Sequence, residues 1–405
     1  MRAVALIDGE HRADVVRETL RTLPYEWAGA ILVGGGEKQR PGDDYGVALL
    51  DGFDGAELVV DLSDEPVLGP AERFRWISRA LACGLPYVGA DFRFDPPALE
   101  PFELPSLSVI GTGKRVGKTA VSAHVARLLA RDRDVVAVAM GRGGPAEPEV
   151  VEEPPTLEEL LARARAGRHA GSDHLELAVL AGVPAIGCRR AGGGLAGAVF
   201  ASNVLEGARL AAARRPDAVV FDGSGAALPP VATTARILVT GPAQDATAYL
   251  NLYRLLVCDL VVLLHGSETE AKRIGTAAGI PVIRAELQLR PVGELPGRVA
   301  VLTAGPARVD HLDADVVHAS AALGDRAELE RVLRTVDADT YLVELKAAAI
   351  ETVAEHALAR GKRVVLAGND IVPLDADLDA AVERLLPENS RPEFADGERR
   401  TGIAS

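Results

Sequence analysis

One stretch of the chain has the residues needed to bind the phosphates of a nucleotide. It begins at Gly111, ends with Gly117-Lys118-Thr119, and follows the apolar residues 106–110. Backbone N–H groups of a glycine-bearing turn that leads into a helix form a nest for phosphate. Lys118, expected here as an exposed loop residue, would reach the β- and γ-phosphates, and the Thr119 hydroxyl would hold Mg²⁺. The predicted nucleotide site comprises Gly111, Thr112, Gly113, Val116, Gly117, Lys118 and Thr119.

The spacing of this loop is one residue longer than the commonest form. A Gly-x4-Gly-Lys-Thr loop would place its first glycine at position 112, where this chain has Thr112 and the glycine is Gly111. The longer form resembles dethiobiotin synthetase and related P-loop proteins. That resemblance implies a mostly parallel sheet around the loop.

An acidic residue ends a second apolar run. Ala218-Val-Val-Phe precedes Asp222, which opens Asp222-Gly-Ser-Gly225. In a nucleotide site, an Asp at a strand end can hold Mg²⁺, and the following glycine N–H can meet a γ-phosphate. We predict that Asp222 and Thr119 are the metal ligands, with Glu147 as the alternative acid.

Several basic residues fall in loops that we predict at the same edge of the central sheet. Arginine binds phosphate through two parallel hydrogen bonds, which also fixes the orientation of the ligand. These residues are Lys114, Arg115, Arg142, Arg189 and Arg190. His11 and Arg12 follow an N-terminal strand and are further candidates for substrate binding. A covalent phospho-enzyme stays open, with His11, His169 and His174 as candidates, although a lone histidine is more often structural.

Strands alternate with helices along most of the chain, which predicts an α/β fold with parallel strands. We expect an N-terminal α/β domain at 1–104 that serves as a substrate lid, a P-loop domain at 105–295, and a C-terminal α/β segment at 296–405. Thr156 and Glu159 predict a capping box, and Ser172 predicts another helix N-cap. The charged tail from Pro387 is expected to fray.

Composition narrows the classes of function. The chain has 405 residues and a net charge of −14, which argues against nucleic-acid binding and requires a local basic cluster for any anionic substrate. No apolar run is long enough to cross a membrane. Cys83, Cys188 and Cys258 are too few and scattered for a disulfide framework, so we expect a cytoplasmic protein.

Taken together, these motifs resemble one family over nearly the whole chain. The stretches are Ile7-Asp-Gly-Glu-His11, the loop 111–119, Met140-Gly-Arg-Gly-Gly-Pro145, Gly187-Cys-Arg-Arg190 with Gly192-Gly-Gly194, Gly223-Ser-Gly-Ala-Ala-Leu-Pro-Pro230 and Glu344-Leu-Lys346-Ala-Ala-Ala-Ile350. In this order they resemble cyclic 2,3-diphosphoglycerate synthetase. The resemblance implies an ATP-dependent ligase that closes an internal phosphoanhydride in 2,3-bisphosphoglycerate and releases ADP and phosphate.

The resemblance also implies cofactors and roles. ATP and Mg²⁺ are expected, with a monovalent cation as a further candidate, in a homodimer. Lys118, Lys114 and Arg142 are the expected catalytic residues, and Arg115, Arg142, Arg189, Arg190, His11 and Arg12 the expected substrate-binding residues. Two alternatives remain: a dethiobiotin-synthetase-like ligase acting on another anion, and a nucleotide-driven, partner-binding ATPase. The second class usually has a lysine at the position of Gly113, and Lys114 lies one place further on.

Overall fold

The computed structural model describes residues 1–345 and 349–387. Lys346, within one of the motifs above, and the charged tail after Pro387 lie outside these ranges. The fold is mixed α/β, as predicted, with most strands parallel.

The N-terminal unit is a small sheet whose strands lie in the order β2-β1-β3-β4-β5. Strands β1 to β4 are parallel and β5 is antiparallel to β4. Its elements are β1 (Arg2–Ile7), α1 (Ala13–Thr22), β2 (Glu26–Leu32), β3 (Leu58–Asp61), α2 (Pro70–Ala82), β4 (Tyr87–Val88) and β5 (Arg93–Phe94). A short strand, β6 (Glu100–Pro101), follows and pairs with β13 of the next unit.

The central unit contains the predicted P-loop between β7 and α3. Strand β7 is fully buried and lies between β12 and β14, so the loop emerges from the middle of the sheet. The elements are β7 (Ser106–Gly111), α3 (Lys118–Leu129), β8 (Val135–Gly141), β9 (Glu149–Val151), α4 (Leu157–Arg165), α5 (Asp173–Ala181), β10 (Ala185–Ala191), β11 (Ala201–Ser202), α6 (Val204–Ala213), β12 (Ala218–Asp222), β13 (Val231–Ala232), β14 (Ala235–Thr240), α7 (Asn251–Leu256), β15 (Leu260–Leu264), α8 (Glu268–Ala278) and β16 (Val282–Pro291).

The C-terminal unit adds a second set of parallel strands to the same sheet. Strand β17 pairs with β18 and β19, and β19 pairs with β20, all in parallel. The elements are β17 (Arg298–Leu302), β18 (Asp315–Ser320), a 3₁₀ turn (Ala322–Gly324), α9 (Arg326–Thr335), β19 (Thr340–Glu344), a π-helical stretch (Ala349–Ala354), α10 (Glu355–Leu358), β20 (Arg363–Pro373) and α11 (Leu378–Leu385).

The two parallel sets meet through one antiparallel pair, β16 and β20. Strand β16 pairs with β15 up to Ala285 and with β20 from Ala285 to Pro291. Strand β20 pairs with β19 up to Ala367 and with β16 from there to Pro373. Because the two strands overlap only in their C-terminal halves, the carboxyl ends of the two parallel sets face each other. Ligands of parallel α/β sheets bind at carboxyl ends, so this arrangement places two such edges around one cleft.

The two predicted helix caps have different outcomes. The Thr156 and Glu159 capping box is confirmed, since each side chain bonds the other residue's backbone N–H. Ser172 is the N-cap residue of α5, as predicted, but its side chain makes no capping hydrogen bond, because its hydroxyl donates to the His169 carbonyl instead (3.3 Å). The first turn of α5 lies at the cleft, where its N–H groups have no side-chain cap from Ser172.

Candidate functional site

The P-loop has the backbone shape that a phosphate nest requires. Gly117 has φ +82° and Arg115 has φ +60°, a left-handed conformation that is uncommon for a residue with a side chain. A Cβ on Gly113 would lie 2.0 Å from Nε2 of Gln244, so a larger residue there would require the Gln244 side chain to move. Backbone strain of this kind often marks ligand sites, and here it lies where the sequence predicted nucleotide binding.

Lys118 begins helix α3 and differs from the sequence expectation in its exposure. Its side chain is buried rather than exposed, and Nζ donates to Asp222 Oδ1 at 2.5 Å. Ser122, one helical turn later, donates to the same oxygen at 2.6 Å. This contact follows from helix geometry, because residues four apart share one face. The sequence analysis did not identify Ser122.

The second oxygen of Asp222 makes the site suitable for a metal ion. Asp222 is fully buried, and its Oδ2 has no hydrogen-bond partner. A buried carboxylate oxygen without a partner is costly, and a bound cation would remove that cost. Hard oxygen donors such as the Asp222 carboxylate and the Thr119 hydroxyl are the ligands that Mg²⁺ prefers. The residues present therefore fit the expected metal.

A cavity of about 1040 Å³ lies between the two facing sheet edges. One wall is made by the P-loop residues 113–120, the loop 141–144 and the first turn of α5. The opposite wall comes from the C-terminal unit and includes residues 303–308, Gly324, Glu344 and Asn369. Ala304 N–H donates to Glu344 Oε2 at 2.7 Å, which fixes the loop after β17 to the end of β19. The sequence analysis did not predict this second wall.

The predicted basic residues have different positions around the cavity. Lys114, Arg115 and Arg142 line it. Arg190 lies at its edge, where Nη2 donates to the Ser224 carbonyl at 3.0 Å and Nη1 to that of Gly192. Burial and the charge of Arg142 lower the pKa of Arg190. Lys114 is close as well, since a Cβ on Gly225 would meet both Lys114 Cγ (3.5 Å) and Arg190 Nη2 (3.8 Å).

Arg189 is exposed, and its side chain makes different contacts from that of Arg190. Its Nε donates to the Gly144 carbonyl at 2.6 Å. Successive residues of a strand point to opposite faces, so Arg189 and Arg190 on β10 cannot share one environment. Arg189 thus holds the loop 141–144, whereas Arg190 contacts the turn after Asp222.

The three candidate histidines do not all lie at the same cavity. His169 and His174 line the large cavity. His174 is 2% exposed, and its burial lowers its pKa to about 4 despite the opposing charge of Glu149. His174 is therefore neutral at pH 7, as expected for a structural imidazole or a nucleophile, but not for a phosphate-binding cation.

His11 and Arg12 lie away from the P-loop. His11 lines a separate cavity of about 390 Å³ in the N-terminal unit, with its Nδ1 2.7 Å from Asp8 Oδ1. Arg12 is on the surface and pairs with Asp14 at 2.6 Å. In the described part of the chain, the lining of the large cavity comes from residues 113–369, so this structure does not bring His11 and Arg12 to it.

Known proteins resemble this chain along its whole length. Three family models match: cyclic 2,3-diphosphoglycerate synthetase N-terminal domain (residues 2–95), P-loop domain (106–286) and C-terminal domain (299–370). Cyclic 2,3-diphosphoglycerate synthetase of Rubrobacter xylanophilus is 44% identical over 98% of this chain and 99% of its own length. That of Thermococcus gammatolerans is 40% identical over 94% and 96%.

The comparison with a solved structure adds little on function. LpxK from Aquifex aeolicus, crystallised with ATP, covers 71% of this chain and 90% of its own with 15% identity and a TM-score of 0.42, too low to support an argument. Among the described residues, none of the helices has the length and apolar character to cross a membrane.

Proposed function

The chain belongs to the cyclic 2,3-diphosphoglycerate synthetase family, and on that premise we propose that it uses ATP to close a phosphoanhydride within 2,3-bisphosphoglycerate, with release of ADP and phosphate. The observation that carries this proposal is the basic cluster at the P-loop: Lys114 and Arg190 lie beside the turn that follows Asp222, and Arg142 is near enough to lower the pKa of Arg190. A substrate with two phosphates and a carboxylate needs such a cluster in an otherwise acidic protein. The full-length match favours this reaction over the two alternatives, which rested on the P-loop alone.

The reaction joins two phosphates of one molecule, so charge is its main obstacle. An oxygen of one substrate phosphate attacks the γ-phosphorus of ATP, and ADP leaves with the electrons of the broken bond. An oxygen of the second substrate phosphate then attacks the phosphorus of the first, and orthophosphate leaves. Both steps bring anionic groups into contact, which requires positive charge and fixed positions more than a base.

The residues of the site divide between these requirements. We assign the nucleotide phosphates to the nest 111–119 and to Lys118, whose Nζ would leave Asp222 for the β- and γ-phosphates. Asp222 and Thr119 would hold Mg²⁺, which supplies positive charge to the transferred phosphoryl group. Lys114, Arg142 and Arg190 would neutralise and orient the substrate phosphates, with Arg115 and Arg189 at the rim. Support comes from the cavity and from the unpartnered Asp222 Oδ2.

We propose three functional units with bounds near 1–104, 105–295 and 296–405, supported by the ranges that the three family models match. Helix α2 of the N-terminal unit packs against α7 of the central unit, and none of the described residues of the N-terminal unit lines the cavity. Its proposed role as a lid would therefore require movement of the unit, or an effect passed on through α7. His11 and Arg12 could join the substrate only by such movement.

A homodimer in the cytoplasm completes the proposal. Phe200 is 96% exposed and Leu195 is 66% exposed on the same loop, and exposed large apolar side chains are common at subunit interfaces. The three cysteines carry free thiols, which suits a reducing compartment. Light scattering of the purified protein should give twice the chain mass; a monomer mass would remove this part of the proposal.

The function is tested by measuring ADP release with and without 2,3-bisphosphoglycerate. We expect the substrate to stimulate ADP release strongly in the wild type. Arg190→Lys keeps the charge but loses the paired donors, so the KM for 2,3-bisphosphoglycerate should rise about tenfold while that for ATP changes little. The same rate of ADP release with and without 2,3-bisphosphoglycerate would refute the proposed reaction. A rise in the KM for ATP alone would instead indicate that Arg190 binds the nucleotide.

A further inference from the structure

Arg254, on helix α7, is a buried arginine that bonds neutral oxygens. It is 4% exposed, and burial lowers its pKa to about 10, so it remains charged at neutral pH. Its guanidinium donates to Ala226 O (2.7 Å), Leu250 O (2.9 Å), Leu195 O (2.9 Å) and Asn251 Oδ1 (3.3 Å). Burying a cation without a carboxylate is costly, so this placement calls for an explanation.

Two of these oxygens belong to loops that Arg190 also contacts. Leu195 lies in the glycine-rich loop 192–197, and Ala226 lies in the segment 223–228 after Asp222. We call these two segments the substrate loops. Leu228 N–H donates to the Gly197 carbonyl at 2.9 Å, which joins them directly. Arg190 bonds the same two loops, through the carbonyls of Gly192 and Ser224. Two arginines, Arg190 and Arg254, therefore each bond both loops.

The helix that carries Arg254 is also where the N-terminal unit docks. Leu250 and Tyr253 pack in one apolar cluster with Val4, Leu6 and Ile77 of the N-terminal unit, and Ala196 of the glycine-rich loop belongs to the same cluster. One of the substrate loops, through Ala196, is thus part of the same apolar cluster as the core of the N-terminal unit.

Tyr249, just before α7, makes specific contacts with the N-terminal unit. Its φ of +49° is left-handed, which is unfavourable for a tyrosine. The N-terminal unit stabilises it: Ser78 Oγ donates to its carbonyl at 3.2 Å, and the Phe74 ring packs edge-on at 5.4 Å between centroids. Leu250, the next residue, offers its carbonyl to Arg254.

From this chain of contacts we infer that Arg254 is a positioning residue, which transmits docking of the N-terminal unit to the substrate loops and so sets the place of Arg190. The N-terminal unit would then act on the substrate site through α7, without covering the cavity. The inference rests on the proposed function for the identity of the substrate. The connection of Arg254 to the loops does not depend on it.

Arg254→Lys is the direct test, because lysine keeps the charge but lacks the planar guanidinium whose Nε and Nη2 reach one loop each. We expect the KM for 2,3-bisphosphoglycerate to rise about tenfold and the KM for ATP to change by less than about threefold. In the protein without substrate, hydrogen exchange of the amides in 192–197 and 223–228 should become faster. A merely structural arginine would lower the melting temperature without separating the two KM values.

Arg236→Lys is the matched control. Arg236 donates from its side chain to the Val257 carbonyl at the other end of α7 (3.3 Å), and none of its described hydrogen bonds reaches a substrate loop. Its replacement should leave the substrate KM and loop exchange unchanged. Phe74→Leu acts on Tyr249 from the N-terminal side and should produce a smaller effect in the same direction as Arg254→Lys, so it serves if the latter does not fold.

The outcomes separate this inference from the proposed function. Faster loop exchange with a selective rise in substrate KM supports it. Unchanged loop exchange, or equal loss of ATP and substrate binding, overturns it. If the wild type makes no cyclic product but Arg254→Lys still loosens both loops and Arg236→Lys does not, the proposed reaction fails while the positioning role stands.

Discussion

At the scale of single residues, the buried pair of Lys118 and Asp222 should contribute both to the proposed catalysis and to the stability of the fold. Their side chains are 10% and 0% exposed. Asp222→Asn should impair Mg²⁺ use and also leave the Lys118 charge buried without its partner. We expect an unfolding free energy lower by about 3 kcal/mol, measured by chemical denaturation. The double variant Lys118→Met with Asp222→Asn should cost less than the two single changes added together. Wild-type stability of Asp222→Asn would contradict the pairing.

His174 should make the stability of the protein depend on pH. Burial lowers its pKa from 6.5 to about 4 in the folded state. Between these two values the unfolded chain binds the proton more readily, so stability falls as the pH falls through that window. The stability lost through His174 should approach about 3 kcal/mol as the pH falls to about 4. His174→Gln should therefore lose less stability than the wild type between pH 7 and pH 4.5 in thermal melts. Parallel curves would show that His174 does not titrate in this way.

Residue types in the loop 111–119 were predictable because phosphate binding restricts them strongly. Ser122 was not, since a serine in a helix has no distinctive signal until Asp222 is seen beside it. The different environments of Arg189 and Arg190 depend on which face of β10 meets the cavity, which the sequence did not specify. The predicted exposure of Lys118 failed because the pairing with Asp222, 104 residues away, is tertiary.

At the scale of elements, local sequence signals predicted individual strands and caps, whereas the pairing of distant strands could not be predicted. Strand β3 and the capping box of α4 follow from apolar runs and short spacing. The antiparallel pair of β16 and β20 joins segments about 80 residues apart, so no local pattern reveals that two sheet edges face each other. The second wall of the cavity follows entirely from that pair.

Gly305, on the second wall, offers a test of the facing edges. A Cβ at this position meets no atom within 4 Å, so a larger side chain can be accommodated without clashes. Gly305→Trp should retain the melting temperature but fill part of the cavity, raising the KM for ATP or for the substrate about tenfold or more. Gly52→Trp is the control, because Gly52 also has open space and lies outside the cavity. Unchanged kinetics of Gly305→Trp would mean that this wall is not used.

At the scale of the whole molecule, an acidic protein concentrates basic side chains at one edge of its largest sheet. The net charge is −14, yet Lys114, Lys118, Arg142 and Arg190 lie together at or beside the cavity. This local concentration was predictable from loops that follow parallel strands. The docking of the N-terminal unit on α7 was not, because the apolar contacts of Leu250 and Tyr253 look like ordinary core positions in sequence.

The central claim is that both products of ATP cleavage arise while a ring closes within the second substrate. Phosphorus NMR of the protein with ATP, Mg²⁺ and 2,3-bisphosphoglycerate measures this directly. We predict that the two phosphomonoester signals of 2,3-bisphosphoglycerate disappear, that two mutually coupled phosphoanhydride signals replace them, and that ADP and orthophosphate form in equal amounts with the cyclic product. ADP and orthophosphate appearing while the 2,3-bisphosphoglycerate signals stay unchanged would contradict the account.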